Sequence, residues 1–354
     1  MLSILGFIIT TLILVFVHEM GHFLVAKMFS IKIEEFSIGF GEEIYSRTDK
    51  SGTKWRLAAI PLGGFVKMYG DPNSNNANHN VQSSESSFQT KPLYVRFLVL
   101  FAGPAANYLF AIMILASVYL VYGKMNIPPV IGKIEINSPA DKAGLKIGDQ
   151  IVAINQDQID EFVDIRKQIM LSNNEPMNFV IKRDEKVAQL IITPISKKLS
   201  NKKDEDIPYI GISPVNKISY TKLGLIDSIS QGTKEVFGIS KMTLQALWQM
   251  VIGSRSTDQM HGPLTIAKES GENLASSPLS FILFLAMLSI NLGLVNLLPI
   301  PLLDGGHLLF MIYEGILRKP INIKMQNILL RVGMIMIVFL IVISVSNDIK
   351  SLLF

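Results

Sequence analysis

Residues 2–29 read LSILGFIITTLILVFVHEMGHFLVAKMF, an apolar run interrupted by His18, Glu19 and His22. Roughly 20 apolar residues in helix cross the hydrocarbon core of a bilayer, so this stretch reads as a membrane span. On a helix, positions i and i+4 share one face, which lets both imidazoles converge on one point. Ionisable groups inside an apolar span are costly to insert and for that reason mark function. No basic residue precedes the run and no small-residue cleavage site follows it, so it is expected to be a retained span and not a signal peptide.

Three further runs have spanning length: Leu93 to Tyr122, Leu279 to Leu298 and Ile328 to Val345. Lys27, Lys32, Arg47, Lys50, Lys54, Arg56, Lys67 and Lys91 crowd the loop between the first two spans, and Arg318, Lys319 and Lys324 the short loop between the last two. The positive-inside rule therefore puts both short loops in the cytoplasm and both termini, with the long 123–277 segment, outside. In a double-membrane bacterium that side is the periplasm.

The chain of 354 residues has 33 Lys plus Arg against 29 Asp plus Glu, too even a balance to suggest a nucleic-acid partner. It has no cysteine, which excludes disulfides, thiolate metal sites and a cysteine nucleophile. A metal would have to be held by His and carboxylate groups.

Between the first two spans, residues 44–48 and 54–57 flank a turn at Asp49-Lys50-Ser51-Gly52 and predict a β-hairpin within 38–68, bracketed by Gly39, Gly41, Gly63 and Gly64. Residues 70–90, rich in Asn and Ser, predict a flexible polar loop. Farther on, strands are predicted at 130–136, 150–154, 177–182 and 188–193, with a helix at 160–171. The stretch SPADKAGLKIGD, residues 138–149, resembles the signature of bacterial PDZ domains. Such a domain binds extended peptide by strand addition, although it can also serve as a plain spacer. Apolar positions at helical spacing through 220–252, with Lys222, Lys234 and Lys241 between them, predict an amphipathic helix for the membrane interface or for packing on the neighbouring domain.

Two neutral imidazoles suit Zn²⁺, which in a catalytic site takes three protein ligands. Glu19, beside His18, can accept a proton from water as it attacks a carbonyl. For the third ligand the polar candidates are Asp304 and His307, with Glu42, Glu43 and Asp71 outside the spans. Asp304 stands in NLLPIPLLDGG, residues 296–306, where two prolines end a helix and two glycines permit a sharp bend. Broken backbone at membrane depth requires protein cover or water, which fits a hydrated metal pocket there.

Together, HEMGH in the first span and NLLPIPLLDGG near the third resemble the site-2 protease family of intramembrane metalloproteases. The likeness extends to Gly39-Phe40-Gly41, to PLGGFVKM at 61–68 and to AGPAAN at 102–107. It implies that His18, His22 and Asp304 ligate zinc and that Glu19 is the catalytic base. It further implies that Asn291, Asn296, Pro299, Pro301 and Asn107 handle substrate, and that 38–68 is a membrane-reentrant hairpin holding an unwound substrate strand. His307, His79 and His261 are expected to lie outside the ligand set.

The expected architecture is a polytopic α-helical membrane protein of about four spans, with a reentrant β-hairpin and an inserted α+β PDZ-like domain. Its parts would be an N-terminal membrane region (1–125), the PDZ-like domain (127–197), a linker with interfacial helices (198–277) and a C-terminal membrane region (278–354). The expected activity is cleavage of single-span membrane proteins in a bacterial inner membrane, acting on an anti-sigma factor or on signal-peptide remnants. Expected partners are those substrates, a possible peptide or protein ligand of the PDZ-like domain and the lipid bilayer. A metal transporter would call for further carboxylates inside the spans. The spans hold only Glu19, with Asp304 just beyond the third.

Overall fold

A computed structural model describes residues 2–70, 85–184, 186–198, 206–217, 219–254, 256–257, 260, 262–319 and 321–353. Most of the expected polar loop, with Asp71 and His79, and also His261, lies outside the described residues. The chain divides into two compact units: Met1–Leu115 with His261–Val345, and Ala116–Met260 with Ser346–Phe354.

Four helices are long and apolar enough to cross a membrane: Leu2–Met28, Leu93–Tyr122, Pro278–Leu297 and Ile323–Lys350. In chain order the helices are α1 (Leu2–Met28), α2 (Leu93–Tyr122), α3 (Pro139–Lys142), α4 (Phe162–Leu171), α5 (Leu225–Val251), α6 (Pro263–Ser276), α7 (Pro278–Leu297), α8 (Asp304–Leu317) and α9 (Ile323–Leu353). The strands are β1 (Ile33–Thr48), β2 (Lys54–Met68), β3 (Lys124–Asn126), β4 (Ile131–Ile134), β5 (Gln150–Ile154), β6 (Asp157–Gln158), β7 (Met177–Arg183), β8 (Lys186–Ile192), β9 (Ile195–Lys198), β10 (Asp206–Tyr209), β11 (Ile212–Pro214) and β12 (Ser219–Thr221).

In the first unit the helices approach closely where side chains are small. A Cβ on Gly21 of α1 would stand 2.3 Å from the Ala102 carbonyl oxygen and 2.7 Å from Ala106 Cβ of α2. A Cβ on Gly6 would meet the Ser270 backbone of α6 at 2.8 Å, and one on Gly293 of α7 the Tyr108 ring of α2 at 2.8 Å. Without a hydrophobic drive between helices in lipid, such close backbone packing is what holds them together. Ser289 of α7 adds a hydrogen bond to the Asn107 carbonyl of α2, 2.9 Å.

The hairpin is more elaborate than its sequence signature. Both long strands bend, with Gly39, Gly41 and Gly63 at positive φ. Residues 35–38 consequently pair with 64–67 on one side and 54–57 on the other, while 54–58 also pair with 43–48. The result is a four-stranded ribbon in the order 64–68, 33–40, 54–60, 43–48. Phe36 and Trp55 pack on Phe23 of α1, with ring centroids 5.6 and 5.1 Å from it, and anchor the ribbon to the helix carrying both histidines.

The third span, α7, ends at Leu297 with Leu298 as its C-cap, and the chain reverses through 299–303 before α8 begins at Asp304. A Cβ on Gly305 would sit 2.3 Å from the Leu298 carbonyl oxygen, and one on Gly306 2.3 Å from that of Ile300, so only glycine permits this fold-back. Arg96 of α2 donates to Glu314 of α8 at 2.6 Å and ties the short helix down. Helix α8 was absent from the expectation, because fourteen residues after a break resemble the end of a span more than a helix of their own.

In the second unit an antiparallel sheet runs β6-β5-β7-β8, with β11 on β4 and β10 on β9. Alternate residues Met177, Phe179 and Ile181 of β7 are buried against Ile151 and Ile154 of β5 and against Phe162, Ile165 and Ile169 of α4. Ser138 caps α3 and Pro139 occupies its first turn. Gly144 and Gly148 supply the positive φ of the following turns. Asp149 is buried and receives two hydrogen bonds of 2.6 Å from Arg183, which also reaches the Gly144 carbonyl. Burial alone would raise the Asp149 pKa; the Arg183 guanidinium and the Lys146 backbone N–H outweigh it and hold the carboxyl below its ordinary 3.8.

Candidate metal centre

His18 and His22 stand one turn apart on α1, and the reversal after α7 delivers Asp304 to them. His18 Nε2 lies 3.2 Å and His22 Nε2 3.5 Å from Asp304 Oδ2, and the two ring nitrogens are 3.3 Å apart. Four ligands around Zn²⁺ at about 2.0–2.1 Å form a tetrahedron with edges of about 3.3 Å. The observed triangle matches one face of that tetrahedron. Asp304 Oδ2 is also buried without a well-aligned hydrogen bond, the condition of a ligand atom directed at a metal and not at a proton. Among the described residues these three form the cluster able to hold a metal ion.

The surroundings hold these three groups in place. His22 Nδ1 lies 2.8 Å from the Val99 carbonyl oxygen, a pure acceptor, so Nδ1 carries the hydrogen and Nε2 keeps a free lone pair. Asn107 of α2 places its amide Nδ2 3.1 Å from His18 Nδ1. The backbone of α2 closes over the rings at Gly103, where a Cβ would stand 2.2 Å from His22 Nε2 and 2.9 Å from His18 Cε1. Asp304 is the first residue of α8, where unpaired backbone N–H groups favour a carboxylate.

Glu19 is buried beside the two histidines at 8% exposure. Its Cγ faces Gly64 of the ribbon, and a Cβ added there would be 3.1 Å away. The segment 64–68 pairs with 33–38 on one side, and among the described residues no strand pairs with its other edge. The Glu19 side chain thus lies against Gly64, a residue of the segment with the unpaired edge.

The remaining predicted residues lie on α7, in the reversal that follows it and on α2. Asn291 and Asn296 lie half-buried on the second half of α7; Pro299 is exposed and Pro301 half-buried in the reversal. Pro301 also packs on α9, where a Cβ on Gly333 would meet its ring at 3.2 Å. Asn107, expected to handle substrate, is fully buried and reaches a ligand ring. Among the other carboxylates considered as ligands, Glu43 is exposed and pairs with Lys54, while Glu42 is exposed. His307 packs edge-on against Phe310. Sequence reasoning quoted Gly103 within AGPAAN without giving it a role, and it missed the Val99 carbonyl.

The family model for peptidase family M50 matches residues 6–340. The chain belongs to peptidase family M50. A Rickettsia conorii protein named "putative zinc metalloprotease" is 44% identical, over 99% of both chains. Relatives bearing the same name from Agrobacterium fabrum and Rhizobium meliloti are 35% and 34% identical, covering 99% and 98% of this chain and 96% of each relative. The family is that of the site-2 proteases resembled by the two motifs, and this M50 member is a metallopeptidase and a multi-pass membrane protein.

Proposed function

We propose that this M50 peptidase is a zinc endopeptidase that hydrolyses peptide bonds within or near membrane-spanning segments of single-span proteins. The observation that carries the proposal is the ligand triangle of 3.2–3.5 Å, built from apolar helices and bordered by Glu19 and an unpaired strand edge. His18, His22 and Asp304 would hold the zinc, which when bound supplies Lewis acidity at the scissile carbonyl.

A transmembrane helix shields its own carbonyls by hydrogen bonding, so substrate must unwind before attack. The free edge at Gly64–Met68 offers backbone groups to the unwound strand and holds it extended beside Glu19. Glu19 takes a proton from the attacking water and returns it to the leaving amine. Packing of α1, α2 and α7 keeps bulk solvent from the reacting groups.

The reading also includes an orientation, with both termini and the second unit on the periplasmic side of a bacterial inner membrane, and a PDZ-like role for the second unit in gripping peptide. Basic residues in the two short loops support the first. The sheet, the helix α4 and the Gly144–Gly148 turns support the second. Substrates of the anti-sigma-factor type or leftover signal peptides both meet the requirement for one apolar span.

Cleavage of a single-span model protein by purified enzyme in detergent tests the reading, with Glu19→Gln and Asp304→Asn alongside. Both variants should lose turnover by at least a factor of about 100. Zinc content should survive the first change and fall with the second. Equal cleavage by all three proteins would overturn the assignment.

A further inference from the structure

The metal reading assigns no role to Asn107, yet this side chain is among the most enclosed polar groups of the first unit. The residue is 0% exposed, and Ser289 donates to its backbone carbonyl. One end of its amide faces His18 Nδ1 at 3.1 Å, while Oδ1 is buried with no hydrogen-bond partner. A carboxamide presents a donor at one end and an acceptor at the other, and the two ends exchange places by a half-turn of its last torsion, so the choice between them falls to the needs of the group it faces.

The neighbouring histidine shows what the site requires. A neutral imidazole that offers Nε2 to a metal carries its hydrogen on Nδ1, and that hydrogen needs an acceptor. Val99 provides one for His22, as a backbone carbonyl that can do nothing else. For His18 the group within reach of Nδ1 is the Asn107 amide, whose oxygen can serve. We propose that Asn107 is a positioning residue: its Oδ1 accepts the hydrogen of His18 Nδ1 and so fixes the zinc-binding tautomer and ring orientation of His18. Asn107 would then act through a ligand, and its connection to substrate would be indirect. Ser289 shares the task by holding the α2 backbone from which the amide projects.

The inference rests on the zinc reading and is tested on the full-length protein without relying on turnover. Zinc affinity is measured by competition with a chromophoric chelator for wild type, Asn107→Asp, Asn107→Leu and Asp304→Asn. A carboxylate only accepts, so Asn107→Asp should bind zinc within a few-fold of wild type. Asn107→Leu, similar in size and without an acceptor, should bind roughly 10- to 100-fold more weakly, as do second-layer changes at other metal sites. Spectra of ¹⁵N-histidine protein loaded with zinc should place the His18 hydrogen on Nδ1 in wild type and in Asn107→Asp. Wild-type affinity in Asn107→Leu would overturn the inference. So would weakened binding in Asn107→Asp, because the amide would then be needed as a donor; this arm decides even if the leucine variant fails to fold. Undiminished zinc in Asp304→Asn would instead overturn the metal reading itself.

Discussion

Gly64 of the ribbon and Glu19 of the first span are in such close register that a single added methyl group would stand 3.1 Å from Glu19 Cγ. The same methyl would lie 2.8 Å from Val15 Cγ1 and 2.6 Å from the Ser37 carbonyl oxygen. The absence of a side chain at residue 64 therefore sets how near the ribbon comes to the Glu19 side chain.

Gly64→Val should push the edge away from Glu19 while leaving the ligands in place. Misplacement by about 1 Å can cost a factor of about 100 in rate, so kcat should fall by about 10- to 100-fold with zinc content unchanged. A variant that lost zinc along with activity would show that the ribbon supports the ligands and not the carboxylate.

Gly103→Ala should act in the opposite way. Its Cβ would overlap His22 Nε2 at 2.2 Å, and the ring cannot retreat without losing Val99. Zinc affinity should drop at least about tenfold. Gly238→Ala in α5 is the control: nothing lies within 4 Å of its Cβ, so the change should be neutral or stabilise by up to about 1 kcal/mol.

Zinc should also stabilise the fold. At about 1,000 times its dissociation constant, a ligand of the folded state alone contributes about 4 kcal/mol. Thermal unfolding of wild type should therefore shift upward with zinc and downward with chelator, while Asp304→Asn should melt at one temperature under both conditions.

Acid should weaken the second unit through Asp149. Its folded pKa lies below the ordinary 3.8, so the unfolded chain binds the proton more readily. The stabilising contribution is complete above that value and is lost as pH falls through the lower folded one. Arg183→Leu should remove about 3 kcal/mol near neutral pH by leaving a buried charge unpaired. Hydrogen exchange of the β5 and β7 amides, followed from pH 6 to pH 3, should show the gap between wild type and variant closing at the acid end; a constant gap would contradict the ion-pair account.

Much of this site was legible beforehand because its signals are local. Spacing of i and i+4 puts His18 and His22 on one face whatever surrounds the helix, and apolar length alone marks four spans. In the second unit the predicted strands and helix fall within a few residues of the observed ones, since period-2 and period-3.6 burial leave their mark on neighbouring residues. Helix α8 and the double pairing of residues 35–38 were not legible. Each depends on a chain reversal that brings together segments with no shared periodicity.

By itself, then, the sequence determined the chemistry available: paired imidazoles, an adjacent carboxylate, a second carboxylate at a helix break, and no thiol. Tertiary structure decided which groups meet. The meeting of Asp304, and not Glu43 or His307, with the two histidines, the approach of the ribbon at Gly64 to Glu19, and the contact of Asn107 with His18 each join residues tens to hundreds of positions apart. Such contacts are set by how closely helices and strands can approach, which here depends on glycines 21, 64, 103, 305 and 306, and the consequence of a missing side chain appears only when its neighbour is in place.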